Sequence, residues 1–398
     1  MIINEDIDSN LSLIKKEKKK LKRNLIISGI ILFIIIILII AFFLFIFRKK
    51  SNSSKNDDDS ELYDIIGELN CIYDFISNHG NEKILADEFN KSSKFDIFID
   101  GKKIEYSKTY KFVDNRIYNI SFKLYENINM NYMFKDIQIL KSIEMISKND
   151  TKITSMISSF ENCFNLESFT IEGFNIIEAK NLSKLFYNCP LEYINLDNFE
   201  TNNIIDMSYM FANTNLKELD LSRFNTENVE NISHMLENCT SLTSINLSVL
   251  NTSKIKKMSH LFSGCISLSS LNLTYFKTTL VEDMASMFQN CYSLLSLNLN
   301  NFDTKNVANM SCMFNGCSSL HSLDLSYFDT KNVINISHMF QDCNLLNELQ
   351  ISNFNTSKVI DMSFMFYYCP SLENIKIDDF DTNNVEDISY MFYSCSRV

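Results

Sequence analysis

The chain has 398 residues, 45% of them hydrophobic and 22% charged, and a net charge of −12. That apolar share is enough to build a sizeable core and excludes a wholly disordered chain. The acidic balance argues against nucleic-acid binding, which calls for a basic face.

In chain order, residues 1–24 form a basic tail carrying Lys15, Lys16, Lys18, Lys19, Lys20, Lys22 and Arg23. Leu25 to Phe47 is a run of 23 residues without charge or proline. It would make about 34 Å of helix, enough to cross a bilayer, and predicts one transmembrane helix over 25–47. A cleaved signal peptide would have a shorter apolar region followed by a small-x-small site. Seven basic residues before the run, against Arg48, Lys49, Lys50 and Lys55 after it, predict a cytoplasmic N-terminus. The chain is thus expected to be single-pass, with the membrane as one partner and everything after the helix extracellular. Residues 1–50 hold ten basic and four acidic side chains, so the remainder carries −18. Residues 48–60 are polar and charged and read as a stalk.

Residues 61–150 are expected to form a small, mostly β module that caps the C-terminal region. Phe95 to Tyr106 reads as a hairpin with an Asp100-Gly101 turn, and Tyr118 to Tyr125 alternates apolar and polar residues. A helix is expected between Ser60 and Ile76. An independent ligand-binding role for this module is the alternative to capping.

Residues 151–398 are a repeat. Phe224, Leu250, Phe276, Phe302, Phe328, Phe354 and Phe380 occur at intervals of 26 residues, the mark of a solenoid. Within one unit, Leu323-Asp324-Leu325 alternates as a short strand does. Met310, Met313, Phe314 and Cys317 stand at i, i+3, i+4 and i+7, which predicts one or two turns of helix. Asp206, Asn231, Asp283, Asn309, Asn335, Asp361 and Asp387 precede this stripe in helix-capping style, with Lys257 as the exception. The expected fold is an α/β repeat solenoid, strand plus short helix per rung, with nine full rungs and a partial tenth ending after Cys395. No polar capping rung follows, so a shortened chain or a covered end is expected.

The unit Leu-x-x-Leu-x-Leu-x-x-Phe-x-Thr-x-x-Val-x-x-Met-Ser-x-Met-Phe-x-x-Cys resembles the repeat of the BspA-like leucine-rich-repeat surface proteins, a 26-residue repeat found also in mycoplasma surface lipoproteins. The resemblance covers residues 153–398. It implies a leucine-rich-repeat-like solenoid at the cell surface, associated with adhesion, and it implies no catalytic residues.

Nine of the eleven cysteines share one slot, Cys239, Cys265, Cys291, Cys317, Cys343 and Cys369 among them. Stacked in register, their Cβ vectors run parallel, whereas a disulfide needs converging ones. An inward ladder of unpaired thiols is expected. His234 and His260 hold equivalent places in adjacent rungs, as do Cys312 and His338. No acidic or further ligand recurs beside either pair, so no metal site is expected. Neither a Gly-rich phosphate loop nor a nucleophile–base set stands out from the repeat, so neither enzyme activity nor a cofactor is expected. Sequons such as Asn119, Asn246, Asn272 and Asn309 would make an exported chain a glycoprotein.

The strand side carries an outward row: Asn195, Asp220, Asn246, Asn272, Asn298, Asp324 and Gln350, with Tyr275 and Tyr327 just beyond it. This amide-and-hydroxyl surface suits an extracellular protein or glycan partner. The expected function is adhesion or binding by the solenoid. A structural coat protein that self-associates without a foreign ligand is the alternative.

Overall fold

The first described strand illustrates how the N-terminal part is built. Gly67, Leu69, Cys71 and Tyr73 alternate with Glu68, Asn70, Ile72 and Asp74, and β1 (Gly67–Asp74) buries the first set on one face while the second stays half-buried. The computed structural model describes residues 64–76 and 80–395. After β1 come β2 (Asn81–Lys83), β3 (Phe95–Ile99), β4 (Lys102–Ile104), β5 (Thr109–Lys111), β6 (Ile117–Leu124), β7 (Ile128–Asn129), β8 (Leu140–Ser147), β9 (Ile153–Ser155) and β10 (Ser168–Glu172). Asp100 and Gly101 both have positive φ, 48° and 80°, and close the β3–β4 hairpin. The segment expected to be helical before Ile76 is instead the strand β1.

A six-stranded sheet runs β10-β8-β1-β6-β3-β4. Its β8–β10 pairing is parallel, with Ile143 opposite Phe169 and Met145 opposite Ile171. This joins the N-terminal module to the first repeat through shared backbone hydrogen bonds. The repeat itself starts earlier than residue 151. Met130, Met133, Phe134 and Ile137 are buried in the stripe positions, and the Phe134 ring stacks on Phe160 at 5.5 Å. The described residues belong to one compact unit, Tyr63–Val398.

The predicted stripe is buried as its spacing required: Met310, Met313, Phe314 and Cys317 are all fully enclosed. The helix is not there, and this corrects the α/β expectation. The described solenoid is all β strand, bridge and turn. Alternate N–H groups explain it. Met313, Asn315 and Cys317 donate three residues back, to Met310, Cys312 and Phe314. Met310, Cys312, Phe314 and Gly316 donate instead to Asn335, Ser337, Met339 and Gln341 of the next rung, at 2.7–3.0 Å. Two residues per rung, here Cys312 (φ 56°) and Gly316 (φ 73°), take the left-handed conformation that a helix excludes. A Cβ on Gly316 would meet Asn290 Oδ1 at 2.6 Å. Two successive four-residue turns give the same i, i+3, i+4, i+7 spacing as a helix. A helix this short would also carry its nucleation cost without an adequate length to recover it.

The capping residues serve a related purpose. Asn309 Oδ1 accepts the N–H of Ser311 at 3.1 Å, and Asp361 Oδ1 that of Ser363 at 2.9 Å, closing Asx turns with no helix behind them. The same residues form an unbroken chain of parallel bridges from Asn181 to Asp387. Thr304 secures a second corner, its buried hydroxyl donating to Asp329 O and accepting the Asp329 N–H. On the strand side, beyond the β8–β10 pairing, the described residues form ladders in two further patches. These pair β11 (Glu218–Asp220) with β12 (Ser244–Asn246), and β13 (Ser322–Asp324) with β14 (Glu348–Gln350). The turn side, expected to be helical, is thus the more continuously hydrogen-bonded wall.

Inside, the rings of Phe262, Phe288, Phe314, Phe340 and Phe366 stack in register at 5.5–5.8 Å. Each offset-stacked pair adds roughly 0.5–1.5 kcal/mol to the burial of the rings themselves.

Among the described residues no helix is long and apolar enough to cross a membrane, against the single-pass, cell-surface placement expected from the sequence. The stretch 25–47 itself lies outside the described residues. The membrane assignment is corrected on that finding.

Candidate binding face

The strand side places its outward row together. Asn195, Asp220, Asn246, Asn272, Asn298, Asp324 and Gln350 are all exposed, one per rung. Glu218, Ser244, Ser270, Ser296, Ser322 and Glu348 form a second exposed row beside it. Tyr275 and Tyr327, about two thirds exposed at 61% and 62%, stand at the same slot two rungs apart. Asn301 occupies the slot between them and donates to the carbonyls of Leu273 and Phe276. A shallow depression of about 450 Å³ is lined by Asp220, Ser244, Asn246 and Asn272.

The first row has a structural task that spacing alone did not reveal. Asp220 Oδ1 accepts Ser222 N–H at 2.8 Å, Asn246 that of Ser248 at 3.2 Å, and Asp324 that of Ser326 at 2.9 Å. Asn272 and Asn298 do the same for Thr274 and Asn300. Each therefore commits one oxygen to the corner that ends the strand segment. Hydrogen bonds from Ser222, its backbone N–H foremost, hold the Asp220 carboxyl below its ordinary pKa. Those from Ser326, its hydroxyl first, do the same for Asp324. The side-chain amide of Asn246 also reaches Asp220 Oδ1 at 3.0 Å. The second row has no such task in its serines, which leaves those hydroxyls open to solvent.

The cysteine slot lies on the other side of the core. Cys239, Cys265, Cys291, Cys317, Cys343 and Cys369 are free and buried. Each thiol donates to a carbonyl of the preceding rung, Cys291 to Phe262 at 3.2 Å and Cys369 to Phe340 at 2.9 Å. Burial pushes the Cys291 and Cys369 thiols up to about 12. Such thiols are structural and inert. Near the rim, the geometry adds a residue the sequence did not single out. Glu237 lies beside both His234 and His260.

Residues 106–222, 213–322 and 292–398 match the family described as "Mycoplasma protein of unknown function, DUF285". The chain belongs to this family. No curated protein matches it. Among solved structures, a leucine-rich-repeat protein of Leptospira interrogans aligns with 56% of this chain at 14% identity. This chain covers 64% of that protein, and the TM-score of 0.20 is too low to establish a shared fold.

Proposed function

We propose that this DUF285 chain is a binding protein without catalytic turnover, and that its solenoid recognises a polar protein or glycan through the strand face. The observation that carries the reading is the pair of exposed rows, Asp220-Asn246-Asn272-Asn298-Asp324 and Ser244-Ser270-Ser296-Ser322, bordered by Tyr275 and Tyr327. Repeated short polar groups on a rigid frame bind by summing many modest contacts. The frame is rigid because every rung is pinned to the next by backbone bonds and a packed core. Exposed tyrosines offer flat area at low entropic cost. The resemblance of the repeat to the BspA-like adhesion proteins supports the same reading.

The test is a screen of the full chain against glycan and protein arrays, followed by titration of any hit. Saturable binding with the ligand recovered unchanged is expected. Chemical conversion of the ligand would overturn the reading. So would concentration-dependent self-assembly with no foreign ligand, which is the behaviour of a coat protein.

A further inference from the structure

Three side chains meet on the turn-side rim. The N–H of Glu237 donates to the carbonyl of His234, and this turn sets the two side chains next to each other. His234 Nδ1 and Glu237 Oε2 are 2.9 Å apart. Rung stacking then lays the His260 ring over His234, with centroids 4.3 Å apart and planes 12° from parallel. His260 Nδ1 lies 3.9 Å from the other oxygen of the same carboxylate, Oε1. That nitrogen is shielded from solvent and has no hydrogen-bond partner. A buried nitrogen lone pair or N–H without a partner is a costly feature, and it calls for an explanation.

We propose that His234, Glu237 and His260 form a binding site for a divalent transition-metal ion such as Zn²⁺ or Co²⁺. Two imidazoles and a carboxylate suit a borderline cation, not Mg²⁺ or Ca²⁺, which take all-oxygen sets. One ligand atom from each of the three residues already falls within 4.8 Å of the others. Tetrahedral ligands with metal bonds of 2.0–2.1 Å lie about 3.4 Å apart, so the widest separation must close by up to about 1.4 Å. One ring must also turn, because stacked rings cannot both aim a lone pair at one point. His234 is fixed between Tyr209 and His260. Beyond His260 the equivalent place is held by the small Ser286, so His260 is the ring with room to rotate. Burial, and secondarily His234, lower the His260 pKa. Glu237 stays partly exposed, which leaves a path for the ion.

The chain carries its own control. His338 Nδ1 meets Gln341 at 2.5 Å in the equivalent turn, and Phe364 stacks on His338 at 4.7 Å. An amide stands where Glu237 is, and a phenyl ring where His260 is. The substitutions Glu237→Gln and His260→Phe are therefore ones this fold already accommodates.

The experiment uses the full chain, stripped by chelator and titrated with Co²⁺ alone, read by visible absorption, with Zn²⁺ calorimetry in parallel. One equivalent per chain is expected. Glu237→Gln and His260→Phe should each abolish it while melting like the parent in chelator. The proposal is overturned if the parent binds no ion, or if binding survives either substitution. A cobalt–thiolate charge-transfer band would also overturn it, since that places the ion among the cysteines.

Discussion

The thiol of Cys317 donates to the carbonyl oxygen of Phe288, one rung earlier, across 3.2 Å. That oxygen also accepts the backbone N–H of Cys291 in its own rung. One carbonyl thus closes a turn and fastens the neighbouring rung, and cysteine suits the slot because it is small, apolar and still a donor. Thr214 shows the alternative. Its hydroxyl turns to Phe211 of its own rung at 2.8 Å, and Cys239 comes within 3.4 Å of it.

Thiol reactivity follows from this placement. In the native chain Cys163, Cys189, Cys239, Cys265, Cys291, Cys317 and Cys343 should resist iodoacetamide, while the less buried Cys312 and Cys395 are labelled first. Peptide mass spectrometry after brief labelling checks it. Rapid modification of Cys291 in folded protein would mean that the rungs open far more readily than their packing implies.

The same thiols set an alkaline limit. A pKa raised in the folded state means more bound protons than in the unfolded chain, so stability is complete below the unfolded value and falls as pH rises. For Cys291 the window opens near the ordinary value of 9.0 and runs up to about 12. Denaturant midpoints should fall between about pH 8 and about pH 10.5. The decline should be shallower in Cys291→Ala than in the parent. Equal slopes would show that other groups dominate the loss.

Loss of one ring should be felt locally. Phe314 lies between Phe288 and Phe340, 5.7 Å from each. Phe314→Ala should cost about 3–5 kcal/mol. Because each rung touches only its neighbours, hydrogen exchange should quicken most between Phe276 and Phe354 and least at β3 and β6. Uniform acceleration over both regions would mean that the whole unit opens in one step.

Much of the fold was legible in the chain alone. The period, the buried stripe and the Asp100-Gly101 hairpin follow from spacing. The helix did not follow, because Met310, Met313, Phe314 and Cys317 fit a helix and a pair of turns equally well. A deciding signal was present in most rungs: the residue before the Cys slot is Asn162, Asn188, Asn238, Gly264, Asn290 or Gly316, types that tolerate positive φ, with Tyr368 and Ser394 as exceptions. The rung at Met130–Ile137 escaped notice because isoleucine fills its Cys slot. Glu237 and His260 are 23 residues apart, so their meeting becomes visible only when the 26-residue register is combined with a three-residue turn.

The Asx corners predict a gain as well as a loss. Asn309→Ala removes the acceptor for Ser311 N–H and should cost about 1 kcal/mol. Lys257 holds the same bridge position but has no side-chain acceptor to offer Ser259. Lys257→Asn should therefore stabilise the fold by about 0.5–1 kcal/mol. Melting curves decide both. A Lys257→Asn chain no more stable than the parent would show that corner closure contributes little in this rung.

Binding by the strand face is best tested on the row that carries no structural duty. Lysine at Asn246 or Asp324 would remove an Asx closure along with a surface group, confusing lost binding with lost structure. Ser244, Ser270, Ser296 and Ser322 are exposed, and changing all four to Lys places four positive charges along the face while the corners and the core stay intact. Like charges one rung apart repel, but exposed pairs of this kind cost little, within about 1 kcal/mol each at physiological salt. The variant should fold and melt close to the parent and lose most of its affinity for whatever ligand the screen identifies. Unchanged affinity in a folded variant would remove the strand face from consideration. The ligand would then have to be sought on the N-terminal sheet, where Lys103, Ile104 and Tyr106 line a separate depression.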